Sequence, residues 1–215
     1  MNVLYNNLAT LQQYFLDVTL LGRFIENQDN PRFAGLTNDT GLRQSAFVFN
    51  LLGDGIPIVH LPSLYRLANT QVYYGQEDYL AGGNDPYNRE ALWDNGYNGN
   101  QLLTTLNKLR FLAIKQSSTW VTTPASYLYN DDYQLFYQKG SMLVGLNGQS
   151  TGRNVAPYTI TIQGTPYTSG ETLMEILTCT TFTAGAGSID VMMKNGAPVV
   201  LYPTSSLTGS GICGS

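Results

Sequence analysis

The stretch Leu20-Leu21-Gly22-Arg23-Phe24-Ile25-Glu26-Asn27-Gln28-Asp29-Asn30-Pro31-Arg32-Phe33 contains the residues best placed to do chemistry. An apolar run of strand character ends in four polar residues, and Pro31 then stops regular pairing and forces a loop. A carboxylate at such a junction can hold hydroxyl groups or favour developing positive charge, and in α/β folds the carboxyl ends of parallel strands are where sites are built. Asp29 and Glu26 are therefore site candidates by type and position. The competing structural reading is that they only cap the following helix, and spacing alone slightly favours it. Asp85 and Arg89 form a second group: an acceptor and a set of fixed donors four residues apart, suited to a polyol and equally to an i, i+4 ion pair. His60, the chain's single histidine, has no spacing to other ligands that would make a metal site.

The elements that must carry these residues follow from periodicity. Leu4, Leu8, Leu11 and Phe15 recur at helical spacing and predict a helix over residues 2–15. A strand is expected over 19–26, a helix over 37–52, a turn at Gly53-Asp54-Gly55, a second buried strand opening at Ile56-Pro57-Ile58-Val59, and a helix over about 101–115. From Thr119 the period shortens to alternation. Residues 120–122, 133–137, 141–146, 158–162, 172–177, 189–193 and 198–201 read as short strands separated by Gly, Asn and Asp turns, the pattern of an antiparallel sandwich. A boundary near residue 116 divides the two regimes.

Composition narrows the partners. Of 215 residues 43% are hydrophobic, enough for a core, while only 12% are charged against a usual share of about 25%. A net charge of −4 with no basic block argues against nucleic acid or an anionic membrane as partner and suits a neutral, hydroxyl-rich one. No run approaches the roughly 18 apolar residues of a membrane span, and the opening residues lack a leader pattern, so the chain as given is expected in the cytoplasm. Cys179 and Cys213 are compatible with two buried thiols or with a disulfide. The sequon Asn38-Asp39-Thr40 falls inside the helix expected over 37–52 and is read as incidental.

The string F-I-E-N-Q-D-N-P-R-F at residues 24–33 resembles F-V-E-N-H-D-N-P-R-F of the secreted fungal α-amylases, in the α-amylase family of glycoside hydrolases. The likeness continues through Gly55-Ile56-Pro57-Ile58, Tyr73-Tyr74-Gly75-Gln76-Glu77, Ala81-Gly82-Gly83-Asn84-Asp85-Pro86, Asn88-Arg89-Glu90-Ala91 and Val200-Leu201-Tyr202-Pro203. It implies a fold of α/β plus all-β type: residues 1–116 as the last two units of an incomplete (β/α)8 TIM barrel, and 117–215 as an antiparallel β-sandwich. Residues 59–71 interrupt the eighth-strand sequence, either as an in-frame retained intron or as a loop insertion.

The resemblance implies a family activity of retaining endohydrolysis of α-1,4-glucosidic bonds in starch and maltooligosaccharides, outside the cell. It assigns Asp29 as the third carboxylate, a transition-state stabiliser, and places Gln28, Asp85, Arg89 and Tyr74 (with Tyr73) against the glucan. Glu26 and Asn27 would orient the strand end. Gln28 replaces the family's His, and an amide cannot become cationic. Cys179 and Cys213 are paired as a disulfide by the same likeness. The nucleophile and acid/base of the family lie on strands four and five and its calcium ligands also lie upstream; nothing in this sequence matches them. The expectation is an amylase fragment inactive by itself, with neither metal site nor cofactor; the alternative is a noncatalytic α-glucan-binding protein or pseudogene product. Open strand edges make residues 1–116 the expected labile half and the sandwich the resistant one.

Overall fold

Alternating side chains on the central C-terminal strands have two faces to bury, and both are buried. A computed structural model describes residues 1–57, 73–97 and 99–215. Its main sheet is antiparallel and six-stranded, ordered β3 (Ser126–Asn130), β4 (Gln134–Lys139), β5 (Met142–Asn147), β10 (Val199–Pro203), β7 (Thr172–Glu175) and β8 (Thr180–Thr183). The paired strands β6 (Tyr158–Gln163) and β9 (Ser188–Met193) lie across one face. There Phe136, Leu143, Leu173 and Leu201 meet Ile160, Ile162, Ile189, Val191 and Met193 to form the interior of the sandwich. A disulfide joins Cys179 to Cys213, closing 34 residues of chain.

The opposite face packs on helices. Leu135, Tyr137, Met142, Val144, Leu146 and Val200 share one apolar cluster with Phe47, Val48, Leu51 and Leu52 of α3 (Thr40–Leu52) and Leu106, Leu109 and Ala113 of α4 (Gln101–Gln116). Every residue of β4, β5 and β10 is consequently buried. The helix of α1 (Asn2–Tyr14) adds Leu8 to the same cluster.

Polar ties reinforce this packing. Asp39 caps α3 through the Leu42 amide at 2.9 Å, and its other oxygen accepts from the Thr151 amide, the Thr151 hydroxyl and the Ser150 hydroxyl at 2.6 to 2.8 Å. Asp54, just past α3, accepts from the buried Lys139 ammonium at 2.7 Å and from the Ala125 amide at 2.9 Å. Lys139 also donates to the Thr123 carbonyl, and the Trp120 indole N–H donates to the Lys139 carbonyl at 3.1 Å. Burial pushes the Lys139 ammonium below its usual pKa, against the pull of Asp54.

Elsewhere the sequence expectation needs correction. The strand expected over 19–26 is a 3-10 turn at Val18–Leu20 and only two strand residues, β1 (Gly22–Arg23), paired in parallel with β2 (Ile56–Pro57). Strand length follows from partners, and among the described residues β2 is the only one β1 has; Leu20 and Phe24 are exposed rather than buried. Residues 120–122 are a turn, because Trp120 serves as a buried side-chain anchor on Lys139 rather than as a ladder residue. β3 and β8 were not anticipated: β3 is interrupted by a bulge between Tyr127 and Tyr129, and β8 is a Thr-rich edge strand. The helix expected over 37–52 begins only at Thr40, after a separate single turn α2 (Phe33–Leu36), so Asn38 lies in a connector. Residues 58–72, and with them His60 and the interrupting block 59–71, lie outside the described residues.

Candidate functional site

The chain leaves β1 through a loop whose shape is fixed by its own side chains. Asn27 Oδ1 accepts from the Asp29 amide at 3.0 Å and from the Asn30 side-chain amide at 2.8 Å, the local bonding that Asn brings to tight turns. Glu26 points the other way and is buried. Its carboxylate accepts from the Phe33 amide at 2.9 Å and meets the Arg32 guanidinium at 3.2 Å. Burial raises the Glu26 pKa, opposed by the hydrogen bond and charge of Arg32.

Arg32 is fully buried and joins this loop to a second segment. Its guanidinium donates to the Tyr74 carbonyl at 2.7 Å and lies 4.1 and 4.9 Å from the Tyr73 and Tyr74 ring centres, which are in edge contact with each other. A second carboxylate, Glu90, reaches Arg32 at 3.5 Å and accepts from the Ala81 and Gly82 amides. The Arg32 amide itself donates to the Gly82 carbonyl at 2.9 Å. Gly82 is required here: a Cβ would stand 1.9 Å from the Tyr87 carbonyl oxygen.

Asn88 completes the junction. Fully buried, it donates to both the Gln28 and Asn30 carbonyls at 2.8 Å, gripping the backbone on either side of Asp29. Asp29 is left exposed at the strand end, its carboxylate accepting from the Gln28 side-chain amide at 3.1 Å. Asp85 and Arg89, on the segment Asn88 belongs to, form an ion pair at 2.7 Å with both side chains about half exposed. The two stretches singled out in the sequence, 26–33 and 81–90, are thus stitched into one surface by Arg32, Glu90 and Asn88. Sequence reasoning gave these three no role; the signal was present as polar residues interleaved with the candidates in both stretches.

Every acidic residue of the chain lies among the described residues. Among those residues no three acidic, His or Cys side chains gather closely enough to hold a metal ion.

The geometry of these two stretches on a parallel strand pair, beside a β-sandwich, has counterparts. Residues 127–215 match the family described as "Alpha-amylase, domain C". The chain is 41% identical over 214 residues to α-amylase 1 of Schwanniomyces occidentalis, a match spanning 96% of this chain and 39% of that one. It corresponds to the C-terminal part of a fungal α-amylase. The α-amylase of Saccharomycopsis fibuligera is 38% identical over 203 residues, 92% of this chain and 37% of the relative. The solved structure of an α-amylase from Malbranchea cinnamomea superposes with a TM-score of 0.87 at 36% identity, over 98% of this chain and 43% of that one. The chain thus spans less than two fifths of the length of these curated α-amylases. No helix among the described residues is long and apolar enough to cross a membrane.

Proposed function

We propose that the chain contributes one wall of a starch-cleaving α-amylase site, with Asp29 as the transition-state-stabilising carboxylate. In this reading residues 1–116 are the last two units of a (β/α)8 barrel and 117–215 the C-terminal sandwich. The observation that carries it is the grip of Asn88 and Arg32 on the 26–33 loop, which leaves Asp29 exposed at the carboxyl end of a parallel strand while its neighbours are locked. A retaining glycosidase needs a nucleophile and an acid/base carboxyl about 5 to 5.5 Å apart. Glu26 is buried against Arg32, and in this reading both catalytic carboxyls, and the calcium of the family, belong to polypeptide outside these residues. The chain alone is then inactive, and its partner is an α-glucan met outside the cell. Asp85 and Arg89 present acceptor and donors to sugar hydroxyls, and Tyr74 backs the site.

The test is a chimera in which the polypeptide preceding the matched region of the S. occidentalis relative is joined to this chain. Hydrolysis of soluble starch is expected, with nearly all of it lost in Asp29→Asn. Gln28→His is expected to raise kcat/KM, because the imidazole can become cationic beside a charged transition state. Full activity in Asp29→Asn would refute the assignment.

A second reading, glucan binding without hydrolysis, is favoured by the aromatic residues of the Asp85 segment. Tyr87, Trp93 and Tyr97 are 74, 71 and 65% exposed, and flat rings on a surface suit stacking against sugar. Trp120, the other tryptophan, is buried and takes no part. Retention of the isolated chain on starch, lost in Trp93→Ala, would support it; passage of the unaltered chain without retardation would refute it.

A further inference from the structure

We propose that Asn38 is a site of N-linked glycosylation. The chain contains one sequon, Asn38-Asp39-Thr40, and the helix that would have hidden it, expected from residue 37, starts three residues late. Asn38 lies in the connector between α2, which ends at Leu36, and α3, which starts at Thr40. The residues on either side have extended backbones: Thr37 at φ −151, ψ 138 and Asp39 at φ −71, ψ 119. In extended chain neighbouring side chains point to opposite sides. Asp39 turns inward, where its carboxylate is occupied by Leu42, Ser150 and Thr151. Asn38 and Thr40 face solvent. The two positions that the modification needs are therefore free in the folded chain, and the middle residue does not crowd them.

The reaction balances with one co-reactant, a lipid-diphosphate-linked oligosaccharide. The Asn38 carboxamide nitrogen bonds to the anomeric carbon of the sugar, the bond from that carbon to the diphosphate oxygen breaks, and the lipid diphosphate leaves with the electron pair as the amide proton is lost. The Cys179–Cys213 disulfide fits the oxidising compartment in which this transfer takes place. A glycan there would also stand over Leu36, an apolar side chain 69% exposed two residues away. The inference rests on the extracellular reading above.

The experiment forces the route. The full chain is expressed in yeast behind an appended secretion signal, and signal-cleaved chain from cells and medium is compared before and after endoglycosidase treatment. A single heavier species that collapses to the bare mass is expected for the unaltered chain and for Thr40→Ser, which keeps the sequon, but not for Asn38→Gln or Thr40→Ala. Signal-cleaved chain at its bare mass in both pools would overturn the proposal. Hydrolysis is not read, so a bare Asn38 refutes the site whatever becomes of the amylase reading, and a modified Asn38 leaves that reading to its own test.

Discussion

The six-stranded sheet and the β1–β2 pair illustrate opposite ways of ending a strand. In the sheet, β4, β5 and β10 have neighbours on both edges and cover on both faces, sandwich strands on one side and α3 and α4 on the other. β1 and β2 share two rungs, and the apolar residues around them, Leu16, Leu20, Phe24 and Ile56, face solvent. The helices of the first region pack on the sheet of the second and share one cluster with it, whereas the apolar residues flanking β1 stay largely uncovered.

Four measurements sharpen this contrast. The largest effect is expected from Asp54→Ala, which strands the buried Lys139 ammonium. Removing one member of a buried pair costs about 3 to 5 kcal/mol, and thermal melting should show the whole chain destabilised, with Lys139→Met in the same chain recovering much of the loss. Leu109→Ala, in the helix layer against the sheet, should cost about 2 to 5 kcal/mol and lower the melting of both regions together, since both use one cluster. Separate transitions, with the sandwich unmoved, would break the comparison. Replacing Cys179 and Cys213 by Ala should cost about 2 to 4 kcal/mol. At the small end, Phe24→Ser should change stability by about 0.5 kcal/mol while reducing aggregation, because about half of the residue is already exposed.

Asp39 gives the contrast a pH signature. Its burial would raise the carboxyl pKa, but hydrogen bonds from Thr151, Leu42 and Ser150 outweigh that and hold it well below the ordinary value. The unfolded chain then takes up the proton first as pH falls below about 4. Stability from this group is present above that pH and is lost progressively as pH drops toward the folded-state pKa. Denaturant unfolding at pH 6 and pH 3 should show a smaller acid loss in Asp39→Asn than in the unaltered chain.

Much of the architecture was legible in the sequence because period is a local property. The α1 and α4 helices and six of the eight sandwich strands can be read from alternation or from leucine spacing. What could not be read depends on partners. Nothing in residues 19–26 announces that pairing will last two rungs, and the apolar Trp120-Val121 looks like strand until Lys139 supplies the carbonyl that anchors the indole. At the site, Asp29, Gln28, Asp85 and Arg89 stand out by type and by resemblance. Arg32 and Asn88 became visible only through bonds that span the two stretches, since Asn88 acts on backbone carbonyls 58 and 60 residues away.

The most direct test is the release of reducing sugar from soluble starch by the purified chain, compared with a heat-killed control. With Asp29 as the single catalytic carboxylate supplied here, no release above the control is expected. Steady release, abolished by Asp29→Asn, would mean that these 215 residues assemble a complete site and would contradict the account.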